Sequence, residues 1–392
     1  MLYPPFRPHM NPRPVPVRIP FNRPPQFDGV AKVLVRAVER GQTAGGGPFT
    51  KECEGFLEGL FGTPTLLTTS CTHSLEMAAL LLEVGRGDEI VVPSFTFVST
   101  ANAFALRGAQ IRFVDCDALG CMSLDHLERA ISPATRAVVP VHYAGNSCDM
   151  TRLLAFCRER GLRVVEDAAQ TIGSRFGGRP LGTLGDLGCL SFHETKNISS
   201  GEGGALLVGD RDLVRRARHL RDKGTNRQEF SLGMAEKYSW VDLGSSWALS
   251  DLNAAYLESQ LRRMDAIMDR RRVLWGRYAA ALRSPVGNLG GRILENPPHN
   301  TPNCHLFAIV WPDASTRDRF IRHTAARGIM TPFHYVALHS SPYGSRFGAN
   351  PGEFPETDRL SNGLVRLPLF FNLTDADQDD VIDAVLSFAA AA

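Results

Sequence analysis

Short apolar runs alternate with amphipathic stretches between residues 50 and 210. The runs are rich in Val, Leu and Ile without strict alternation, a pattern typical of strands buried on both faces of a parallel sheet. After the first run, apolar residues recur at helical spacing over 75–82, and Ser70 or Thr72 can cap that helix. The predicted strands are 65–69, 89–93, 109–115, 137–141, 163–166, 188–192 and 205–208.

Helical patterns lie before and between these runs. The predicted helices are 28–40, 50–60, 70–82, 96–106, 124–131 and 150–160. Strands that alternate with helices of this length favour βαβ units. The sequence therefore predicts an α/β fold with a mostly parallel central sheet covered by helices on both faces.

The pattern changes after the last of these strands. Residues 252–284 are predicted to form one long, Arg-studded helix, and the residues beyond it mix strand and helix patterns. At 392 residues the chain is longer than a single hydrophobic core usually supports. We therefore expect a Pro-rich N-terminal arm at 1–20, a large domain at 21–260 and a small α+β C-terminal domain at 261–392.

The composition narrows the classes of partner. A net charge of +2, with 21% charged and 43% hydrophobic residues, indicates a globular protein without strong attraction to nucleic acid or membranes. No apolar run approaches the roughly 18 residues that cross a bilayer, and the N-terminal arm lacks the apolar centre of a secretory signal. We therefore expect a cytoplasmic protein. The 8 cysteines form no Cys-x-x-Cys pair, which favours reduced, buried thiols over disulfides or a metal site.

The strongest candidate for chemistry is Lys196, between a predicted strand and a Gly-rich turn in a chain with few lysines. A buried lysine amine can lose its proton near neutral pH, which Arg cannot do; the alternative is a solvated loop lysine. Asp167 ends an earlier apolar strand, where open α/β sheets place ligand contacts. A lysine that holds an aldehyde and an acid that keeps a pyridine nitrogen protonated suit pyridoxal phosphate (PLP).

Two further loops are candidates for phosphate or nucleotide contacts. The capped helix that starts at Ser70 or Thr72 would offer free N–H groups to a phosphate, although an ordinary N-cap has the same pattern. The glycine cluster at 41–48 lets the backbone approach a ligand, or it is a plain linker. It contains no Gly-x-Gly-x-x-Gly, which argues against a Rossmann oxidoreductase.

Five segments together carry a family resemblance. They are 93–102, 141–145, 166–170, 191–197 and 222–227. With them, the chain from about residue 19 to its end resembles the DegT-type sugar-nucleotide aminotransferases, a branch of the fold type I PLP enzymes. The resemblance implies an aspartate-aminotransferase-like fold, PLP as the cofactor and a homodimer with shared active sites.

The same resemblance implies roles for individual residues. Lys196 would hold PLP and move the proton, Asp167 would face the pyridine nitrogen, and Gln170 would bond the ring hydroxyl. The implied cofactor contacts are Cys71, Thr72, His73, Phe97, Asp167, Gln170, Ser191, Lys196 and Ser246. Phe97 would stack on the ring, with core packing as its alternative. Ser246 is a departure, because many members have at this position an Asn that reaches the partner subunit's phosphate.

The sugar nucleotide is expected near a second set of residues. These are Gly46, Gly47, His142, Tyr143, Lys223, Arg227, His334 and Tyr335. Each of them has an alternative role as an ordinary core or surface residue, with its hydrogen bonds made inside the protein or to water. A pyrophosphate requires at least one cation or a group of N–H donors, and the set contains both kinds.

The reaction implied by the resemblance transfers an amino group from L-glutamate to C4 of a nucleotide-linked 4-keto sugar. The expected substrate is dTDP-4-dehydro-6-deoxy-D-glucose, and the product is dTDP-4-amino-4,6-dideoxy-D-galactose. A 4-keto pentose or a gluco-configured product of a natural-product pathway is an alternative. PLP-dependent sugar dehydratases share the scaffold but carry His in place of the lysine, and a non-catalytic PLP or sugar-nucleotide sensor is a further alternative.

Overall fold

The structure is a computed structural model that describes residues 16–349 and 352–391. Most of the N-terminal arm, residues 1–15, therefore lies outside the described residues. The strands, in chain order, are β1 Thr65–Thr68, β2 Glu89–Pro93, β3 Gln110–Val114, β4 Thr135–Val138, β5 Arg163–Asp167, β6 Arg175–Phe176, β7 Arg179–Pro180, β8 Leu187–Ser191, β9 Gly204–Val208, β10 Arg292–Ile293, β11 Asn300–Thr301, β12 Phe307–Val310 and β13 Leu364–Leu367.

Helices precede, separate and follow these strands. They are α1 Val30–Glu39, α2 Pro48–Phe61, α3 Cys71–Leu81, α4 Val98–Ala105, α5 Leu124–Ala130, α6 Met150–Glu159, α7 Val214–Arg221, α8 Arg227–Ser231, α9 Asp251–Leu261, α10 Met264–Asn288, α11 Ala314–Ala325, α12 Pro355–Gly363 and α13 Asp375–Ala391. Seven strands and six helices predicted before residue 210 are confirmed, with ends displaced by a few residues, as is usual where helices and strands fray.

The central sheet has seven strands in the order β1-β9-β8-β5-β4-β2-β3. β9 is antiparallel to both of its neighbours, and the pairings from β8 to β3 are all parallel. Leu206 and Leu207, adjacent on β9, belong to hydrophobic cores on opposite faces of the sheet. Because successive side chains of a strand alternate between faces, burial on both sides requires continuous apolar runs. The predicted α/β fold with a mostly parallel sheet is confirmed.

A second core surrounds the antiparallel sheet β10-β12-β13. It is built from residues 274–388 and one residue from the start of the chain, Ile19, which is fully buried there. Ile19 forms a parallel bridge with Ile329, so the described end of the N-terminal arm adds to the C-terminal part of the fold. The proposed domain boundary at residue 260 stays a prediction.

The single helix predicted over 252–284 is wrong. The chain forms two helices, α9 and α10, because Arg263 leaves helical dihedral angles, with φ −114° and ψ 14°. The central carbon of its guanidinium lies over the Phe27 ring, 5.1 Å from the centroid, which is a cation–π contact. The Gln260 side chain donates to the carbonyl oxygen of Pro25 at 3.0 Å. These contacts with the N-terminal segment are long-range, so no local pattern predicts the break.

All 8 cysteines are free and buried, as the sequence predicted. Within residues 16–349 and 352–391, no helix combines the length and apolarity that crossing a membrane requires.

Candidate active site

A cavity of about 580 Å³ opens at the carboxyl ends of the parallel strands, between the large sheet and β13. Asp167 ends β5, and Lys196 follows the neighbouring strand β8. Both side chains line this one cavity. The topology therefore brings the two residues together, where strand ends of an open α/β sheet usually place a ligand.

Lys196 lies in the turn that joins β8 to β9. Its backbone N–H donates to the carbonyl oxygen of His193 at 2.9 Å, which fixes the turn. Burial lowers the pKa of the Lys196 amine below its ordinary value, and Asp167 partly offsets this effect. A lowered pKa raises the fraction of free amine, the form that attacks an aldehyde or accepts a proton.

Two donors hold the Asp167 carboxylate in place. Thr100 on α4 donates its hydroxyl to Oδ2 at 2.6 Å, and the N–H of Ala169 donates to Oδ1 at 3.2 Å. The Thr96 hydroxyl lies 2.8 Å from that of Thr100 and continues the chain of hydrogen bonds. A short bond to a buried carboxylate fixes its orientation. Asp167 is thus held with its acid group at the cavity wall.

Gln170 lies three residues after Asp167, and the oxygen and nitrogen of its side-chain amide have different partners. Oε1 accepts a hydrogen bond from the N–H of Ala144 at 2.6 Å, and Nε2 donates to the Tyr335 hydroxyl at 3.3 Å. Ala144 has a positive φ of 58°, which turns its N–H toward the glutamine. After these two bonds, the NH₂ group keeps one N–H that can donate to a ligand, and the carbonyl oxygen keeps one lone pair.

The first turn of α3 forms a cup of N–H groups at one end of the cavity. Ser70 caps the helix, accepting the His73 N–H at 3.1 Å on its Oγ, as predicted. The N–H groups of Cys71 and Thr72 belong to the first turn and have no acceptor within the helix. Ser191, the last residue of β8, lines the same cavity. This donor set fits a phosphate at a helix N-terminus.

Gly204 permits this arrangement. A Cβ there would lie 2.4 Å from the backbone N of Cys71 and 2.4 Å from the backbone carbon of Ser70. Contacts this short with backbone atoms cannot be relieved by a side-chain rotation. The start of α3 can therefore approach β9 only because residue 204 has no side chain.

His142 is tied to a buried acid behind the cavity. Its Nε2 lies 2.8 Å from Oε2 of Glu166, and both side chains are fully buried. Glu166 also accepts N–H bonds from Gly182, Leu184 and Gly185. Burial alone would raise the pKa of Glu166, but His142 and these N–H groups bring it below its ordinary value. Of the two acids at the end of β5, only Asp167 lines the cavity.

Ten of the predicted site residues line the cavity. They are Cys71, Thr72, Phe97, His142, Asp167, Gln170, Ser191, Lys196, His334 and Tyr335. Phe97 exposes 57% of its surface, so the core-packing alternative does not describe it. Its ring centroid is 6.2 Å from that of Tyr335 across the cavity mouth.

The remaining predicted residues lie outside the cavity of this single chain. Tyr143 is fully buried behind the wall, where its hydroxyl lies 3.0 Å from His334 Nδ1. His73 faces Thr69 and Trp247. Gly47 starts α2 against the Asp251 carboxylate, which a Cβ would meet at 2.5 Å. The other four are exposed to solvent: Gly46, Lys223, Arg227 and Ser246.

Sequence reasoning missed the cavity-lining residues His305 and Arg366, and Thr100, which lies behind the cavity wall. Thr100 holds Asp167, His305 lies 2.9 Å from Asn197 Oδ1, and Arg366 extends from β13. Burial, together with the cations Lys196 and Arg366, lowers the pKa of His305 well below its ordinary value, so its imidazole is neutral. Thr100 lies three residues after the predicted Phe97, one helical turn, and that spacing was the available signal.

Comparisons with known proteins agree on one family. The profile described as the DegT/DnrJ/EryC1/StrS aminotransferase family matches residues 28–386. The spore coat polysaccharide biosynthesis protein SpsC of Bacillus subtilis is 34% identical over 328 residues, which cover 81% of this chain and 83% of that protein.

Solved structures are similar over almost the whole chain. The aminotransferase TlmJ from Streptoalloteichus hindustanus has a TM-score of 0.87 and 34% identity, covering 95% of this chain and 99% of that one. The putative sugar aminotransferase Spr1654 from Streptococcus pneumoniae, in its PLP-form, has a TM-score of 0.87 and 26% identity, covering 95% and 99%. Its PMP-form has the same TM-score and identity, covering 95% and 100%.

Proposed function

The chain belongs to the DegT/DnrJ/EryC1/StrS aminotransferase family, and we propose that it transfers the amino group of L-glutamate to C4 of a nucleotide-linked 4-keto sugar. It is a PLP-dependent sugar aminotransferase. The proposed substrate is dTDP-4-dehydro-6-deoxy-D-glucose, and the proposed product is dTDP-4-amino-4,6-dideoxy-D-galactose. One observation supports the proposal most strongly: Lys196, Asp167 and the start of α3 all line the same cavity.

Lys196 is the proposed catalytic residue. Bound PLP supplies an electron-withdrawing ring that lets the carbon next to the transferred nitrogen lose a proton. The Lys196 amine would hold the cofactor, would be released when the donor's amine takes its place, and as a free amine would then move that proton within the buried cavity. Its lowered pKa suits this role, because a base works best when its pKa approaches the working pH.

Asp167, Gln170 and the start of α3 would orient the cofactor at three points. Asp167 is fixed by Thr100 and would face the ring nitrogen, and Gln170 would donate its remaining N–H to the ring hydroxyl. Cys71 and Thr72 offer N–H groups to the phosphate. Three attachments at different edges of a planar ring determine which of its faces is open to the substrate.

We also propose a homodimer with shared active sites. A segment after α8 exposes large apolar side chains, including Trp240 at 77% and Met234 at 75%. Exposed apolar surface of this kind is typical of an interface. Lys223 and Ser246 lie in or beside the same exposed region, joined by the bridge between Asp222 and Ser246. Their predicted ligand contacts would then be made in the partner subunit's cavity.

A panel of nucleotide-linked 4-keto sugars tests the proposed reaction. The holoenzyme is incubated with L-glutamate and each sugar, and the amino sugar is identified by NMR, with Lys196→Ala as the inactive control. We expect amination of dTDP-4-dehydro-6-deoxy-D-glucose with the galacto configuration at C4. A gluco product, or amination of a 4-keto pentose alone, would replace the proposed substrate. No amination of any sugar by the PLP-loaded enzyme would refute the proposed function.

A further inference from the structure

Arg366 places a second cation in the cavity of Lys196. It extends from β13 of the antiparallel sheet and lines the cavity on the side opposite the large sheet. Its guanidinium lies over the Phe21 ring, with the central carbon 4.1 Å from the ring centroid. Arg366 thus enters the site from the C-terminal part of the fold, far in sequence from the residues that hold the cofactor.

Few donors of this guanidinium are used. Nη2 donates to the carbonyl oxygen of Phe333 at 3.3 Å, whereas Nε is buried without a partner. A guanidinium carries five N–H donors in a planar fork. With one Nη2 donor used and the Nε donor buried, the two N–H groups of Nη1 and the second N–H of Nη2 remain for a ligand.

No carboxylate neutralises Arg366 among the residues that the structure describes. The two acids that line the cavity have other partners: Asp167 accepts from Thr100 and Ala169, and Glu202 lies 3.6 Å from His193. Burial lowers the pKa of Arg366 below its ordinary value, which indicates that its charge is poorly solvated. A poorly solvated cation without an anion is costly, and a bound anion removes that cost.

The chemistry of transamination limits which anion this can be. On a sugar nucleotide, the negative charges are on the diphosphate at C1, on the far side of the sugar ring from the reacting C4. An amino-acid donor carries its α-carboxylate on the same carbon as the amine that reacts beside Lys196. The planar fork of Arg matches a carboxylate through two parallel hydrogen bonds.

We propose that Arg366 binds a carboxylate of the amino donor and so selects an amino acid for the first half of the reaction. The inference rests on the proposed function, since it names the contact that recognises the donor in the same cavity. Apolar walls at Phe21, Leu367 and Leu369 exclude water from this contact and strengthen it. Arg366 has no such role toward the sugar nucleotide.

Arg366→Gln and Arg366→Lys test the proposal, with Arg292→Gln as the matched control. Arg292 lies on β10 of the same sheet, also donates Nη2 to a carbonyl oxygen, and also has a buried, unpartnered Nε, but it does not line the cavity. The holoenzymes are mixed with L-glutamate alone, and the loss of visible cofactor absorbance is followed. Binding of glutarate, which lacks an amine, is measured by calorimetry.

A charge-assisted pair of hydrogen bonds predicts about 10- to 100-fold weaker binding of glutamate and glutarate in Arg366→Gln. Arg366→Lys recovers part of the loss, because lysine keeps the charge but not the fork. Arg292→Gln matches wild type. The reverse half-reaction, with the amino sugar as the donor, keeps its wild-type rate in every variant.

Two further donors identify the carboxylate. L-Alanine carries only the α-carboxylate and 4-aminobutyrate only the distal one, so the donor whose reaction is slowed by Arg366→Gln reveals which group is bound. Unchanged glutarate affinity in a PLP-loaded Arg366→Gln enzyme would overturn the proposal, as would weakened binding of the sugar nucleotide instead. A wild-type enzyme that consumes glutamate but aminates no sugar would refute the proposed function and leave the Arg366 site standing.

Discussion

The hydrogen bond from Thr100 to Asp167 gives the most quantitative prediction. Thr100→Val removes the hydroxyl and keeps the shape of the side chain, at a site with no solvent exposure. The bond is 2.6 Å long and its acceptor is a buried carboxylate. Hydrogen bonds to charged groups contribute about 1.5–3 kcal/mol, and both features favour the upper half of that range. We therefore expect the free energy of unfolding of the apoenzyme to fall by about 2–3 kcal/mol.

The same substitution should weaken PLP binding, because Asp167 keeps only the N–H of Ala169 to orient it. We expect a rise of about tenfold or more in the dissociation constant, since about 1.4 kcal/mol corresponds to one factor of ten. Urea unfolding and PLP titration measure the two effects. Thr357→Val is the control: Thr357 is equally buried, but its hydroxyl faces the neutral thiol of Cys116 at 3.4 Å. Equal destabilisation by both substitutions, with unchanged PLP affinity, would refute the reasoning.

Two further predictions concern the phosphate cup and the buried imidazoles. Gly204→Ala should displace the start of α3, because its Cβ would lie 2.4 Å from the Cys71 nitrogen, and it should raise the dissociation constant for PLP; Gly55→Ala, with open space around its Cβ, should not. Burial lowers the pKa of His305 and of His334 well below the ordinary value. Below about pH 6.5 the unfolded chain therefore binds more protons than the folded chain. The free energy of unfolding then falls as the pH falls, by up to about 1.4 kcal/mol per pH unit for each histidine. Urea midpoints at pH 7.5 and 5.5 should differ less in His305→Asn than in wild type; an equal difference would exclude His305 as a source.

Local patterns were sufficient to predict the large sheet and the residues at its strand ends. Continuous apolar runs identify β5 and β8 because both faces of each strand are buried. Parallel neighbours then bring their carboxyl ends together, so Asp167 and Lys196 line one cavity although 29 positions (196 − 167) separate them. The antiparallel direction of β9 has no counterpart in the apolar pattern, which is the same for either orientation.

The rest of the site depends on contacts between distant segments. Arg366 reaches the cavity because β13 packs beside it, and nothing in its neighbouring residues distinguishes it from the many surface arginines. At the break between α9 and α10, Arg263 contacts Phe27 and Gln260 donates to Pro25. The hydrogen bond between Gln260 and Pro25 spans 235 positions, so no local pattern contains these contacts. Under the proposed homodimer, the exposed residues Ser246 and Lys223 would contact a ligand in the partner subunit's cavity, and a single sequence does not position a second chain.

The most direct test of the central claim is chemical trapping of the cofactor. Borohydride makes the bond between PLP and its lysine permanent, and mass spectrometry of the digested protein then locates the attached cofactor. We predict one cofactor per chain, on the peptide that contains Lys196, and none on the Lys196→Ala variant. Attachment to another lysine, or equal trapping in Lys196→Ala, would contradict the account.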